Sequence, residues 1–426
     1  MKTVAFYTLG CKVNQYETNA IAQIFIKNGY KKIEFNEKAD VYVINTCSVT
    51  NMADKKSRQI IRQAKTHNNN AIVVATGCYA QVNKEELENI DEIDIIIGNS
   101  DKSKILEIVE QYQEKYNQVK KIEEEKEFKD YGTVTYTEKT RAVIKVQDGC
   151  NNFCSYCIIP YARGRVRSRK PESVIKEISE IVKTGIKEVV ITGIHVASYG
   201  KDFENGIGLI DLLEQINEIE GLSRIRLGSL EPNLITEDFV ERLVKVDKIC
   251  DHFHLSLQSG CDETLKRMNR KYTTNEFRKG VNLLRQKFPS VALTTDIIVG
   301  FPGETETEFN QTYKFLEEIK FSKMHVFKYS PRKGTVAAKM KEQINPKIKE
   351  ERSNKLIELS DKNEIEFLDK YIGKELEILF ESKNQDGYTE GHTTNYISVK
   401  TKQEGLDNII KKVKIKERKN LELIGS

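Results

Sequence analysis

The chain has 426 residues, 38% hydrophobic and 31% charged, enough for two to three globular domains with ample core and too well mixed to be disordered. Its 68 basic and 64 acidic residues leave a net charge of +4, so whole-molecule charge barely argues for nucleic acid and local clustering has to make that case. No stretch approaches the roughly 18 to 20 apolar residues of a membrane span, and Met1-Lys-Thr-Val-Ala-Phe-Tyr7 runs straight into a strand pattern. A cytosolic protein without signal peptide is therefore expected, whose eight cysteines are better read as ligands than as a disulfide framework.

Short β-rich runs at 3–9, 41–45, 71–75 and 95–97 alternate with helical patterns near 15–27, 52–66 and 83–90. Such alternation predicts a parallel sheet, since each crossover helix returns the chain in the same direction. Cys11, Cys47 and Cys78 each follow the C-terminal end of one of these runs. In open parallel sheets those ends share the edge where ligands bind, so three cysteines far apart in sequence are expected to meet in space. Gly10 and Gly77 permit tight turns beside a bulky ligand. For any single one of these cysteines an ordinary buried thiol is the simpler reading, because Cys packs as a small hydrophobe; three equivalent strand ends argue against it.

Residues 102–139 are rich in Lys and Glu with sparse apolar positions and read as a solvated helix and linker, with a domain boundary near 135–140. The next stretch, Gly149-Cys-Asn-Asn-Phe-Cys-Ser-Tyr-Cys157, puts three thiols within eight positions. Cys150, Cys154 and Cys157 can converge on one metal centre, with no nearby fourth Cys or His to complete a tetrahedral zinc site. An iron-sulfur cluster held by three thiolates leaves its fourth iron open; zinc and plain buried thiols are the alternatives.

Arg163-Gly-Arg-Val-Arg-Ser-Arg169-Lys170 follows at once, with no acid among its five basic residues. The planar guanidinium fork suits phosphate, so Arg163, Arg165, Arg167 and Arg169 are expected to contact RNA; a solvated charged loop is the alternative. Strands expected at 141–147, 187–192, 224–229, 252–258, 292–299 and 323–328 complete a partial barrel of six βα units. Within His252-Phe-His-Leu-Ser-Leu-Gln258, period two puts Phe253, Leu255 and Leu257 on one face and His252, His254, Ser256 and Gln258 on the other. Helices must cover the apolar face, so the polar one points inward, as do Lys145, Gln147, Thr294 and Asp296 by the same rule. A packed barrel interior is filled with branched apolar residues; this pattern instead predicts a cavity for a polar ligand, lined by histidines that do not themselves react. Cys250 and Cys261 fit neither trio and read as structural.

A charged helical stretch, Lys347 to Tyr371, leads into short strands with Gly turns, about 55 residues that suit a small OB-like barrel. Lys412, Lys414 and Lys416 alternate with Val413 and Ile415, which puts the charges on one exposed face. That face reads either as a nucleic-acid groove or as an edge strand guarded by lysines.

Cys150, Cys154, Tyr156 and Cys157 resemble the radical S-adenosylmethionine signature, in which an aromatic residue precedes the last cysteine. Gly10-Cys-Lys-Val-Asn-Gln-Tyr-Glu17, Asn45-Thr-Cys-Ser-Val-Thr50 and Ala75-Thr-Gly-Cys-Tyr-Ala-Gln81 resemble the N-terminal domain of methylthiotransferases, and the first of them, with Asp148-Gly-Cys-Asn-Asn-Phe-Cys-Ser-Tyr-Cys-Ile-Ile-Pro-Tyr-Ala-Arg-Gly164, is similar to the threonylcarbamoyladenosine-tRNA branch. The resemblance spans essentially the whole chain. It implies an N-terminal methylthiotransferase domain over 1–135, a radical S-adenosylmethionine core with connecting helix over 136–370 and a TRAM RNA-binding domain over 371–426.

The same resemblance implies two [4Fe-4S] clusters, one on Cys150, Cys154 and Cys157 and an auxiliary one on Cys11, Cys47 and Cys78. The methionyl group of S-adenosylmethionine occupies the open iron of the first, and its reductive cleavage releases a 5′-deoxyadenosyl radical. Tyr156, Gly193, Ser229 and Gln258 are the implied cofactor contacts, and Asp296-Ile-Ile-Val-Gly-Phe-Pro-Gly-Glu-Thr305 resembles the segment flanking the adenine. The implied activity is methylthiolation at C2 of N6-threonylcarbamoyladenosine next to the anticodon, at position 37. The partners are a tRNA anticodon stem-loop and an electron donor such as flavodoxin or ferredoxin. Rival readings are the isopentenyladenosine-tRNA branch, the branch acting on an aspartate of a ribosomal protein, and a non-catalytic iron-sulfur RNA-binding protein.

Overall fold

The computed structural model describes residues 1–137, 140–383 and 387–426; residues 138–139, inside the stretch read as a domain boundary, lie outside it. Strands β1 (Thr3–Thr8), β2 (Lys31–Lys32), β3 (Val41–Thr46), β4 (Ile72–Gly77), β5 (Ile95–Ile97) and β6 (Tyr116–Gln118) form a wholly parallel sheet in the order β2-β1-β3-β4-β5-β6. Its helices are α1 (Lys12–Lys27), α2 (Asn51–His67), α3 (Cys78–Val82), α4 (Lys84–Glu88) and α5 (Ile105–Glu110). Val-Tyr-Val-Ile-Asn-Thr of β3 is buried at every position, as a parallel strand covered on both faces must be. Tyr42, Ile44 and Val73 join one core, and Val41, Val43 and Val74 the other. The chain leaves β1 toward β2 on one side and resumes at β3 on the other, which makes the β1/β3 edge the switch point where such sheets take ligands.

Strands β7 (Arg141–Asp148), β8 (Arg167–Ser168), β9 (Glu188–Gly193), β10 (Arg224–Leu227), β11 (His252–Gln258), β12 (Ala292–Val299) and β13 (Lys323–Lys328) form the wall of a partial barrel. It runs β10-β9-β7-β8 and β11-β12-β13, the two parts meeting at isolated bridges Ile225↔Ile249 and Leu230↔Leu255. All pair in parallel except the short β8. Helices α6 (Ile159–Arg163), α7 (Pro171–Lys183), α8 (Leu209–Asn217), α9 (Glu237–Leu243), α10 (Asp262–Arg267), α11 (Thr274–Lys287) and α12 (Glu306–Ile319) intervene. Boxed N-caps start α11 at Thr273 and α12 at Thr305, each satisfying end N–H groups that the helix cannot bond itself. Along β11, Phe253, Leu255 and Leu257 are buried in the outer core, while the inward-facing His254, Ser256 and Gln258 are only half-buried. That is the reverse of a filled barrel: the inner face of β11 stays partly open at these three positions, while His252 at its start is buried.

Helix α13 (Pro346–Asp369) leads to β14 (Glu375–Lys383), β15 (Thr389–Thr393), β16 (Ser398–Thr401), β17 (Ile410–Lys419) and β18 (Glu422–Gly425), a closed five-stranded barrel in the order β14-β15-β16-β18-β17. It docks on the start of β10, where Arg224 Nη1 donates to the His392 carbonyl at 2.9 Å and Arg226 Nη1 to that of Thr394 at 2.8 Å. Among the described residues no helix is long and apolar enough to cross a membrane.

Three expectations are corrected. Residues 102–139 are not simply a solvated linker: β6 completes the first sheet, and Val134 packs with Tyr16, Ala20, Tyr131 and Val143. Tyr-Asn-Gln carries no β-rich run, and β6 exists because β5 offers it a ladder. Lys145 and Gln147 do not line a cavity, because Glu17 of α1 and Asp148 accept from the Lys145 ammonium at 2.7 and 2.6 Å and the fully buried Gln147 amide donates to the Asp148 and Gly149 carbonyls at 2.6 Å. The third correction concerns the arginine run.

Candidate active site

Cys11 is the N-cap of α1 after β1, Cys47 follows β3, and Cys78 opens α3 after β4. These strands are immediate neighbours, so the three thiols share one edge at the switch point, as the strand pattern predicts. A Cβ on Gly10 (φ +100°) would lie 2.9 Å from Cys47 Cβ and Sγ, and one on Gly77 (φ +101°) 2.4 Å from the Thr46 carbonyl oxygen; only glycine lets the turns come this close. Burial, with Cys78 and Cys11 nearby, pushes the Cys47 thiol up to about 12. Burial also raises Cys11, partly countered by Arg163. Crowded thiols, of which Cys11 and Cys47 resist ionising alone, suit a cationic centre that takes the trio as thiolates.

The second trio lies in the loop after β7. Gly149 (φ +72°) is obligatory there, because a Cβ would meet the Arg165 carbonyl oxygen at 1.8 Å. Cys150 N–H donates to the Gly164 carbonyl at 3.0 Å and Cys157 N–H to that of Cys154 at 2.9 Å, folding the loop on itself. Burial and the neighbouring Cys154 push Cys157 up to about 12 and Cys150 to about 11. The Tyr156 ring packs with Met268, Phe301 and Tyr329, which ties the loop to the glycine turn after β12.

Of the expected cofactor contacts, Gly193 ends β9 against Gln147, with no room for a side chain, Ser229 is exposed just past β10, and Gln258 ends β11 at a bulge with φ +70°. All three stand at the same barrel end as the second trio. Three residues not singled out in the sequence form a network that reaches the second trio. Arg270 Nη1 lies 3.2 Å from Cys154 Sγ and its Nη2 donates to Glu231 Oε1 at 2.6 Å. His195 Nε2 is 3.5 Å from the same carboxylate oxygen and 3.3 Å from Asn152 Nδ2. His195 and Arg270 hold Glu231 below the usual carboxylate range against its burial. His195 lies two residues beyond Gly193 and Glu231 two beyond Ser229, so they neighbour expected cofactor contacts; Arg270 carries no such signal.

Arg163, Arg167 and Arg169 are buried and do not face solvent, so they offer no RNA-contact surface. Arg163 Nη1 donates to Glu17 Oε1 at 2.5 Å, Nη2 to Asn14 Oδ1 at 2.6 Å, and Nε lies 3.4 Å from Cys78 Sγ. Arg169 pairs with Glu177 at 2.9 Å and Asp130 at 3.0 Å; Arg167 donates to the Arg163 carbonyl at 2.9 Å. Only Arg165 is exposed, stacked 4.6 Å from the Phe153 ring. Together with Lys102 and Lys145, which also bond Glu17, the buried arginines form the joint between the first sheet and the barrel. Lys412, Lys414 and Lys416 are exposed and alternate with buried Val413 and Ile415.

The joint sets the two trios against each other. Arg163 lies six positions after Cys157 and touches Cys78. On the other flank Arg332, just beyond β13, donates to Ser48 Oγ at 2.7 Å and Asp54 Oδ2 at 2.5 Å, beside Cys47.

Residues 144–316 match the Radical SAM superfamily, and residues 3–98 match Uncharacterized protein family UPF0004. The chain is 46% identical to the threonylcarbamoyladenosine tRNA methylthiotransferase MtaB of Bacillus subtilis, with 97% of this chain and 93% of that protein covered. It is 44% identical to the MtaB of Aquifex aeolicus, covering 97% and 99%. A tRNA-2-methylthio-N(6)-dimethylallyladenosine synthase of Clostridium botulinum is 38% identical, covering 91% and 88%. In fold, the chain is similar to the radical S-adenosylmethionine methyltransferase TsrM of Kitasatospora setae, with a TM-score of 0.55 at 15% identity over 78% of this chain and 77% of that one.

Proposed function

Because this chain belongs to the radical S-adenosylmethionine methylthiotransferase family, we propose that it converts the N6-threonylcarbamoyladenosine at position 37 of tRNA to its 2-methylthio derivative. The observation that supports this reading most is that Arg163, six positions after Cys157, lies 3.4 Å from Cys78 Sγ, so one buried side chain links the segments that carry the two trios. S-adenosylmethionine and two [4Fe-4S] clusters, when bound, supply what C2 of an adenine needs, a one-electron route to an inert C–H bond and a source of sulfur. Cys150, Cys154 and Cys157 hold the cluster that meets S-adenosylmethionine, and Cys11, Cys47 and Cys78 hold the auxiliary one.

The chain's own residues position and shield. Arg270 and Glu231 brace Cys154 from one side, and a network of this kind fixes ligand orientation. Gly193, Ser229 and Gln258 border the space for the cofactor, and Tyr156 anchors the loop beneath it. The buried joint of Glu17, Lys102, Lys145, Arg163 and Asp148 holds the two centres in register and excludes water between them. Lys412, Lys414 and Lys416 meet the phosphates of the anticodon stem-loop as exposed point charges, and the reaction takes place with tRNA in the cytoplasm. A flavodoxin or ferredoxin supplies the electron.

Nucleoside mass spectrometry of tRNA from a deletion strain tests the reading. Loss of 2-methylthio-N6-threonylcarbamoyladenosine with gain of its precursor is expected, and an unchanged level would overturn it. Purified protein, anaerobic and loaded, should release methionine and 5′-deoxyadenosine, which a binding module would not.

A further inference from the structure

Lys12 stands next to Cys11 at the start of α1, and its side chain is exposed. Tyr16, one helical turn further along the same face of α1, bonds Glu177 and packs with Val143 of β7, so Lys12 stands on the side of α1 turned toward the barrel. Tyr396 of the small barrel, Arg226 of β10, Arg141 of β7 and Glu188 of β9 are the groups whose charges act on its ammonium, and it acts in turn on His252 of β11.

The surrounding cations already have partners. Arg226 Nε donates to Glu188 Oε1 at 2.8 Å, Arg141 Nη2 to Glu381 Oε2 at 3.1 Å, and both guanidiniums lie over the Tyr396 ring, at 4.7 and 5.1 Å. His252 and His392 close on the same ring at 5.0 and 4.8 Å. Lys12 alone has no hydrogen bond or ion pair among the described residues. An ammonium left over among partnered guanidiniums is a place for an anion, because a carboxylate there gains a partner that no protein group supplies.

We infer that Lys12 receives the carboxylate of the threonylcarbamoyl group and so selects a base carrying an acidic N6 substituent over one carrying a neutral, apolar one. This rests on the proposed function. The threonylcarbamoyl group bears a carboxylate, whereas a dimethylallyl group is uncharged and would leave the ammonium unpaired, a cost that acts as discrimination. The chain position adds a constraint. Lys12 follows Cys11 directly, so a substrate held by its carboxylate is held within a side chain's reach of the auxiliary trio.

The test uses anaerobically loaded full-length protein, wild type, Lys12→Gln and Lys12→Arg, with anticodon stem-loops carrying N6-threonylcarbamoyladenosine, its carboxylate methyl ester, or isopentenyladenosine. Binding and methylthio product are both read, and the cluster spectra of the variants report that both centres are intact. Wild type should prefer the free acid over the ester by about a hundredfold in kcat/KM, the range for losing one partner of a desolvated charge pair. Lys12→Gln should erase that preference, and Lys12→Arg should keep most of it. If wild type treats acid and ester alike, or if Lys12→Gln keeps the preference, the inference is overturned while the threonylcarbamoyl reading stands. If wild type acts on the isopentenyl stem-loop alone, both are overturned.

Discussion

Two basic runs look alike in the sequence and do opposite things in the fold. Arg163, Arg165, Arg167 and Arg169 alternate along one stretch, and Lys412, Lys414 and Lys416 along another. Three of the four arginines are buried among Glu17, Asp148, Glu177 and Asp130, whereas the lysines stand in solvent on one face of β17. The difference lies in distant acids. Glu17 is 146 positions from Arg163, and nothing local announces that the two will meet. Residue type follows the same division, since the guanidinium tolerates burial through several directed bonds and the strongly hydrated ammonium suits a solvated ridge.

The largest effect that would break this comparison is on stability. Arg163→Met removes one cation from Glu17 and Asp148 while Lys102 and Lys145 remain, and should cost about 3 kcal/mol, the low end of the range for breaking a buried ion pair, read by denaturant unfolding. Lys414→Met should change stability by no more than about 0.5 kcal/mol. The arginine run would lose its structural role if the two variants unfolded alike.

Next in size is tRNA affinity. Reversing Lys412, Lys414 and Lys416 together to Glu should weaken stem-loop binding at least tenfold and lower the salt slope by about 2 to 3, as expected for three lost phosphate contacts. The unfolding midpoint should stay put. An unchanged salt slope would return the lysines to the role of edge guards.

Acid sharpens the same contrast. Lys145 and Arg163 hold Asp148 at about 2 despite its burial, and Arg163 and Lys102 keep Glu17 well below the carboxylate range. Groups with depressed folded values contribute stability that is present above their unfolded values, near 4, and is lost as pH falls through the folded ones. The denaturation midpoint should therefore fall between about pH 4 and pH 2, and less steeply in Arg163→Met. Smallest of all, Arg165→Ala removes an exposed stack on Phe153 and should cost under about 1 kcal/mol, with cluster content unchanged.

What was legible in the sequence was what local pattern controls. The six parallel barrel strands, the three cysteines at neighbouring strand ends and the polar inner face of β11 follow from periodicity and chain reversal. What escaped depends on partners supplied by the fold. β6 is a strand only because β5 pairs with it, and Arg270 reaches Cys154 from 116 positions away. Glu231 lies only two residues beyond the expected contact Ser229, but its role needs His195 and Arg270 around it. Lys145 obeyed the inward rule and still met Glu17 instead of a ligand.

The account depends on two separate thiol trios, each holding a cluster, and iron and sulfide analysis of anaerobically reconstituted protein tests it most directly. Wild type should bind about eight irons, for two four-iron clusters. Replacing Cys11, Cys47 and Cys78 with Ala should leave about four irons and the cleavage of S-adenosylmethionine, while abolishing methylthio product. Replacing Cys150, Cys154 and Cys157 should also leave about four irons but abolish cleavage. Full iron content after the loss of either trio would contradict the account.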